Sequence, residues 1–454
     1  MTPPQSLPTA LQQIDSRPLT HHQKSLIGLV IAGNIAEFFD MFLVGFVVSL
    51  LTGPWQLTGT EAGIILACSG LGTVMGAIIW GRLADSIGRK RAFFWCVLMF
   101  SVFTLASVFT PDRGWIILAV LRVLVGIGVG GLNIVSIPYV QEFVPVKQRG
   151  LLSGFASVFI PLGLFLGALA QWGFGDNWRG LIALGALPIL LLFWLHTVPE
   201  SPRFLLVRGR PDQARQALAW ALELPADDVG ALPSSSNETP SASYRTVFRY
   251  HWRSLLIVAA GTFSFVLGSA TIQSWGQTLL HDGYGLSTTT AASLFMLVSL
   301  ADLLGRLAAA WVADRIGRRW TLLACGIVGA IGSLVVASSA FAGTAGSGVL
   351  FFSGVVIAMG FGDGAFGILN AFGAEQFPNE VRATGLGLGY GIGASAKIIG
   401  PMLMGLLIGG SAVRPTVTLN AVVPAFIVFA ILLLAGGVIY MFAEETNGKS
   451  LDAR

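Results

Sequence analysis

Long apolar runs recur from Ser25 to Phe442 with only short polar breaks between them, and nothing else in the chain constrains its fold as much. A helix that crosses a membrane needs about 20 mainly apolar residues. Twelve stretches meet that requirement: 25–51, 60–83, 91–110, 114–143, 150–172 and 177–197, then 253–280, 288–313, 320–342, 346–376, 382–408 and 418–442. Of all residues 54% are apolar and only 11% are charged, whereas a soluble domain carries about 25% charge. A cytosolic globular enzyme is thereby excluded. The expected fold is an all-α integral membrane protein with twelve transmembrane helices, six before and six after a polar pause.

The domain plan follows. Residues 1–24 are polar, with Pro3, Pro4, Pro8 and Pro18; they lack the apolar core and cleavage site of a signal peptide and read as a cytosolic tail. The first bundle is expected over 25–197 and the second over 253–442, with a short tail at 443–454. Between the bundles, 198–252 is a polar central loop, with a surface helix at Pro211 to Leu224 and a flexible Ser- and Pro-rich linker at Pro225 to Ser243. Asn237-Glu-Thr matches a glycosylation sequon, which is expected to face the cytosol unmodified. Of the 27 Lys and Arg residues, three lie well inside spans (Arg122, Arg306, Lys397) and three in or at the edge of odd-numbered loops (Arg113, Arg179, Arg414). The rest occupy even-numbered loops and the tails, so the positive-inside rule puts both termini and the central loop in the cytosol of a plasma (bacterial inner) membrane. The net charge of +4 is thus a topology signal, scattered along the chain and unsuited to nucleic acid. Cys68, Cys96 and Cys325 stand inside apolar runs and read as packing residues, not as disulfides or a metal site.

Two segments recur. Gly81-Arg-Leu-Ala-Asp85-Ser-Ile-Gly88-Arg89-Lys90-Arg91 follows the second span, and Ala313-Asp314-Arg315-Ile-Gly317-Arg318-Arg319 follows the eighth. Glu142-Phe-Val-Pro145-Val-Lys-Gln-Arg149 follows the fourth, and Glu375-Gln-Phe-Pro378-Asn-Glu-Val-Arg382 the tenth. Duplicated six-helix halves point to an alternating-access transporter. Glycine permits the tight turn, and the arginines after it can meet the glutamate that closes a neighbouring span. Asp85, Arg89, Lys90, Glu142 and Arg149, with Asp314, Arg318, Arg319, Glu375 and Arg382, are therefore candidates for a cytosolic gate. The blander reading is that these arginines fix topology and bind anionic lipid headgroups.

With these repeats, Arg122 followed by Gly126 in the fourth span, and Pro199-Glu-Ser-Pro-Arg203 after the sixth, the chain resembles the major facilitator superfamily. The resemblance implies two six-helix bundles around a cavity lined mainly by spans 1, 4, 7 and 10, and a protein that works as a monomer. The Pro-Glu-Ser-Pro-Arg element is shared by sugar porters, organic-ion transporters and bacterial metabolite/proton symporters, so it does not choose a substrate.

Ionisable groups near the bilayer centre cost roughly 2.5–3.5 kcal/mol each to insert and mark functional sites by default. Glu37 and Asp40 are three residues apart, on one face of the first span. Two carboxylates that close cannot both ionise cheaply in low dielectric, so one is expected to carry a proton, as a proton-coupling site requires. The alternative is that one acid pairs with Arg122 and holds helices together. The element Glu37-Phe38-Phe39-Asp40 is similar to the Asp-Gly-x-Asp of aromatic-acid/proton symporters, with Glu and Phe as departures, and in the resembled family the Arg122 position is linked to proton coupling. Lys397, in a span without acids, is expected to attract an anionic substrate, where organic-anion transporters similarly carry arginine; pairing with Asp302 or Asp363 is the alternative. Asp302 and Arg306, four apart, are expected to pair. Asn34, Gln273, Trp275, Gln277, Phe361, Asp363, Phe366, Asn370 and Tyr390 complete the expected substrate lining.

The reading is proton-coupled uptake of a small organic anion, an aromatic or heteroaromatic monocarboxylate such as a benzoate or nicotinate. A drug/proton antiporter and a sugar/proton symporter are the alternatives within transport. A metabolite-sensing receptor would be expected to append a signalling domain or long tail. No metal-ligand cluster, nucleophile motif or phosphate loop argues for an enzyme, and no cofactor is expected.

Overall fold

A computed structural model of the chain describes residues 9–232, 244–341, 344–378, 381–413 and 415–446. The fold is all-helical, as the apolar runs require. The first half comprises α1 (His21–Trp55), α2 (Gly59–Ile87), α3 (Arg89–Val108), α4 (Trp115–Gln141), α5 (Val146–Phe174) and α6 (Trp178–His196). The second comprises α7 (Trp252–Gly283), α8 (Thr288–Ile316), α9 (Arg318–Ser339), α10 (Ser347–Glu375), α11 (Thr384–Ile408) and α12 (Pro415–Met441). Every helix except α5 meets the length and apolarity needed to cross a bilayer over its described residues; α5 contributes the shorter apolar stretch Ile160–Phe174.

Local chemistry sets the ends. Thr20 and Gln23 form a capping box at the start of α1, and Thr58 with Glu61 does the same for α2. Gly88 (φ 101°) and Gly317 (φ 95°) make the turns from α2 to α3 and from α8 to α9, a conformation that side chains rarely adopt. Large apolar side chains such as Ile78, Trp95, Val120, Leu304 and Ile431 point outward, where lipid makes their exposure favourable. Inward, helices approach on small residues: a Cβ on Gly76 would run into the Ile127 carbonyl of α4. Close backbone approach of this kind replaces the hydrophobic effect as the glue between helices in lipid.

The halves meet through α1 with α7, α2 with α11, and α5 with α8. At the face opposite the termini they are clasped. Thr58 and Ala412 form an antiparallel bridge, Thr52 Oγ1 donates to Asp282 Oδ2 at 2.7 Å, and Thr288 Oγ1 donates to Asp176 Oδ1 at 3.0 Å. At the face that carries the termini, the ion pairs of Arg89 with Asp85 and Glu142 lie within the first half and that of Arg318 with Glu375 lies within the second. Helices Pro202–Val207 and Pro211–Leu222 lie under the first half at that face, and Ala10–Ser16 packs on the second of them. The expected linker is described only to residue 232, and Asn237 lies outside the described residues.

Candidate functional site

Buried charge gathers in three places. In the first half, Asp40 on α1 accepts from Thr104 Oγ1 of α3 at 3.2 Å and faces Arg122 Nη1 of α4 at 3.5 Å. Arg122 Nη2 also donates to Ser107 Oγ at 3.2 Å. Both charged side chains are at most 5% exposed. Glu37, one turn earlier, is as buried and lies within electrostatic range of the Cys96 thiol on α3. Two acids and one arginine thus share the interior of this bundle. Asn34, a further turn back on the same face, accepts from Ser136 Oγ of α4 at 3.4 Å.

In the second half Asp302 and Arg306 pair through two bonds, Nε to Oδ1 at 2.7 Å and Nη2 to Oδ2 at 3.1 Å. Asp363 joins them: its Oδ2 lies 3.4 Å from Arg306 Nη2 and accepts from Ser269 Oγ at 2.6 Å and from Gln273 Nε2 at 3.4 Å. The Arg306 guanidinium lies over the Phe366 ring, 5.2 Å from its centroid.

Lys397 stands between the halves. Its backbone packs on Gly70 of α2, and its half-buried Nζ reaches the Met41 sulfur of α1 at 4.0 Å. Among the described residues it makes no ion pair, because Asp302 and Asp363 both turn to Arg306. α11 is interrupted at Ser395, just before it: the helical stretch Arg382–Ala394, which starts just ahead of the span, ends there and Ala396–Ile408 begins.

The other expected lining residues divide. Trp275 is fully enclosed and donates its indole N–H to the Pro401 carbonyl at 3.0 Å. Gln277 donates to the Ala291 carbonyl at 3.2 Å. Tyr390 is half-buried and interacts electrostatically with Arg306. Asn370 and Phe361 are exposed, Phe361 by 56%. The structure therefore brings Gln273, Asp363, Phe366 and Tyr390 around Arg306, and leaves Lys397 with Met41.

At the face of the termini each half has its own charge cluster. Arg89 bonds Asp85 at 2.7 Å and approaches Glu142 at 4.0 Å, while Ser201 Oγ donates to Glu142. Burial pushes the Glu142 carboxyl above the usual glutamate range, against the pull of Ser201, Arg89 and Arg203. Arg318 bonds Glu375, which also accepts from Thr446 Oγ1 at 2.5 Å. Lys90 Nζ donates to the His196 carbonyl at 3.1 Å, Arg319 to the Met441 carbonyl, and Arg382 Nε to the Phe377 carbonyl at 3.4 Å. Asp314 ends α8 beside this cluster; the Arg149 side chain lies outside the described residues.

Sequence reasoning missed two members. Glu200 accepts from the Lys90 backbone N–H at 2.9 Å, and Glu445 from those of Arg318 and Arg319 at 3.2 and 3.1 Å. Each carboxylate thus sits at a helix N-terminus, where orphan N–H groups favour an anion. The signal was present as Glu200-Ser201 after the sixth span and Glu445-Thr446 after the twelfth.

Comparison with known proteins agrees with this architecture. Residues 26–453 match the sugar (and other) transporter family. The chain is 29% identical to the niacin transporter NiaP of Acinetobacter baylyi, covering 98% of this chain and 99% of that protein. It is 30% identical to a gallate transporter of Pseudomonas putida (96% and 97% covered) and 27% identical to the 4-hydroxybenzoate transporter PcaK of Pseudomonas aeruginosa (93% and 94%). Among solved structures, a D-xylose-proton symporter superposes with a TM-score of 0.72 at 18% identity, over 94% of this chain and 99% of that one. A duplicated six-helix chain with these turn motifs, matched from one end to the other, belongs to the sugar (and other) transporter family of the major facilitator superfamily.

Proposed function

We propose that the protein takes up a small aromatic or heteroaromatic monocarboxylate together with protons, from a plasma membrane in which both termini face the cytosol. The observation that carries this reading is Lys397: a cation deep in an apolar span, at the seam between the halves, with the Met41 thioether beside its ammonium. A charge so placed is costly unless a ligand compensates it, and a carboxylate is the simplest ligand that does. The Met41 sulfur beside it suits the edge of a flat ring. Relatives named for niacin, gallate and 4-hydroxybenzoate support the same substrate class.

Coupling follows from adjacency. Asp40 precedes Met41, so the acid that pairs with Arg122 and the residue that meets Lys397 share one turn of α1. A proton on Asp40 dissolves its ion pair with Arg122 and loosens α1 from α4; an anion on Lys397 draws α11 toward α1. Glu37 is the second acid of the same group. The Arg89–Glu142 and Arg318–Glu375 clusters, each within one half, then brace the cytosolic ends of their own bundles while the opposite face is clasped.

A thermal-shift panel tests the substrate class. Ligand that binds only the folded protein stabilises it, by about 2.7 kcal/mol at a hundredfold excess over Kd. Nicotinate and 4-hydroxybenzoate are expected to raise the melting temperature of the wild type and not of Lys397→Ala. A shift with xylose and none with either acid would favour a sugar porter instead.

A further inference from the structure

The second half holds a charge network that this reading leaves unused. Asp302, Arg306 and Asp363 are 0%, 2% and 3% exposed, and they amount to two carboxylates on one guanidinium. Fully ionised, the group keeps a net negative charge away from water, which low dielectric penalises; one proton makes it neutral. The geometry says which acid takes it. Asp302 is held by two short bonds from Arg306, one turn away on the same helix. Asp363 has only the 3.4 Å contact, and its closest donors, Ser269 and Gln273, are uncharged.

Asp363 also stands at a break. α10 passes through a π turn at Ala358–Gly362 and a 3-10 turn at Asp363–Gly367, and only at Leu369 resumes as an α-helix. Such interruptions inside long helices are frequent at functional positions. The break is seated directly on α8, where a Cβ on Gly305 would overlap the Gly360 carbonyl. A further link runs to the first half through Gln273, which donates to Asp363: its carbonyl is 3.1 Å from where a Cβ on Gly45 of α1 would lie. The residue that bonds Asp363 thus packs on α1 one turn past Asp40 and Met41.

The surrounding ionisable groups are few. α8 contributes Asp302 and Arg306, α9 contributes Cys325, and Tyr390 of α11 acts on Arg306. The ionisable residues of α7 are Arg253, His281 and Asp282, at its ends, and those of α5 are Lys147 and Arg149, at its start.

We propose that Asp363 takes up and releases a proton in each cycle, so that two protons accompany each monoanionic substrate, one through the Asp40 group and one through Asp363. This rests on the proton-coupled reading above. The balance is simple: a proton joins a carboxylate oxygen on one side of the membrane and leaves on the other, and each turnover moves one net positive charge inward.

The test is uptake of radiolabelled 4-hydroxybenzoate into proteoliposomes, driven separately by an inside-alkaline pH gradient and by an inside-negative potassium diffusion potential. The wild type is expected to respond several-fold to each. Asp363→Asn is expected to keep the response to the pH gradient and lose the response to potential. A variant that still follows the potential as the wild type does, or a wild type driven by the pH gradient but indifferent to potential, overturns the proposal. A wild type indifferent to both overturns the proton-coupled reading itself. Should Asp363→Asn fail to fold, Ser269→Ala decides: without the nearest donor to Asp363, the pH of half-maximal potential-driven uptake should shift. Ser264→Ala, whose hydroxyl bonds the Ala260 carbonyl of its own helix, should not shift it, and an unshifted Ser269→Ala profile overturns the proposal.

Discussion

Arg122 is the counter-ion on which the interior of the first half depends. It reaches Asp40 on α1 and Ser107 on α3 from a buried position on α4. Removing one partner of such a pair leaves an uncompensated charge and costs about 3–5 kcal/mol, whereas removing both can be nearly neutral. Arg122→Gln is therefore expected to lower the thermal unfolding midpoint in detergent, and the double variant Asp40→Asn/Arg122→Gln to regain most of the loss. Strictly additive effects would mean that the two residues do not interact. The importance of these residues was legible in the sequence, because an ionisable group in an apolar run is conspicuous. Their partners were only partly so. Asp302 and Arg306 pair as their four-residue spacing implies, but the choice of Asp40 over Glu37 depends on how α1 is rotated against α4. Periodicity within one helix does not fix that rotation. The contact of Asp363 with Arg306 was not legible for the same reason: nothing local says that α10 breaks there and turns the acid onto Arg306.

At the scale of the helix, the apolar runs located each described span to within a few residues, and the repeated glycines marked both tight turns. Interruptions inside spans were not legible. Residues 346–376 read as one continuous apolar stretch, since a π turn changes hydrogen bonding without changing composition. The contact that seats this break makes a sharp prediction. Gly305→Ala places a methyl group on the Gly360 carbonyl, and overpacking of this kind costs about 1–3 kcal/mol or more. Gly387 lies in a helical stretch of α11 and has open space around its Cβ position, so Gly387→Ala is expected to be neutral or stabilising by up to about 1 kcal/mol. Folded yield on size exclusion and the unfolding midpoint compare the two; equal losses would mean that α8 and α10 are not in contact as described.

The whole molecule is two similar bundles clasped at one face, with separate charge clusters at the other. Each bundle buries two carboxylates and an arginine, and Lys397, which makes no ion pair among the described residues, sits where the bundles meet. On the proposed function, that distribution favours an organic anion over the other transport readings. A lipophilic cation would meet a lysine at the seam, and a sugar has no use for it, whereas an organic anion compensates it. The most direct measurement is concentrative uptake of nicotinate or 4-hydroxybenzoate by the purified protein in proteoliposomes with an inside-alkaline pH gradient. Accumulation above the outside concentration, abolished by a protonophore and reduced at least about tenfold by Lys397→Ala, equivalent to about 1.4 kcal/mol or more, is the predicted result. Accumulation that ignores the pH gradient, or survives Lys397→Ala undiminished, would contradict it.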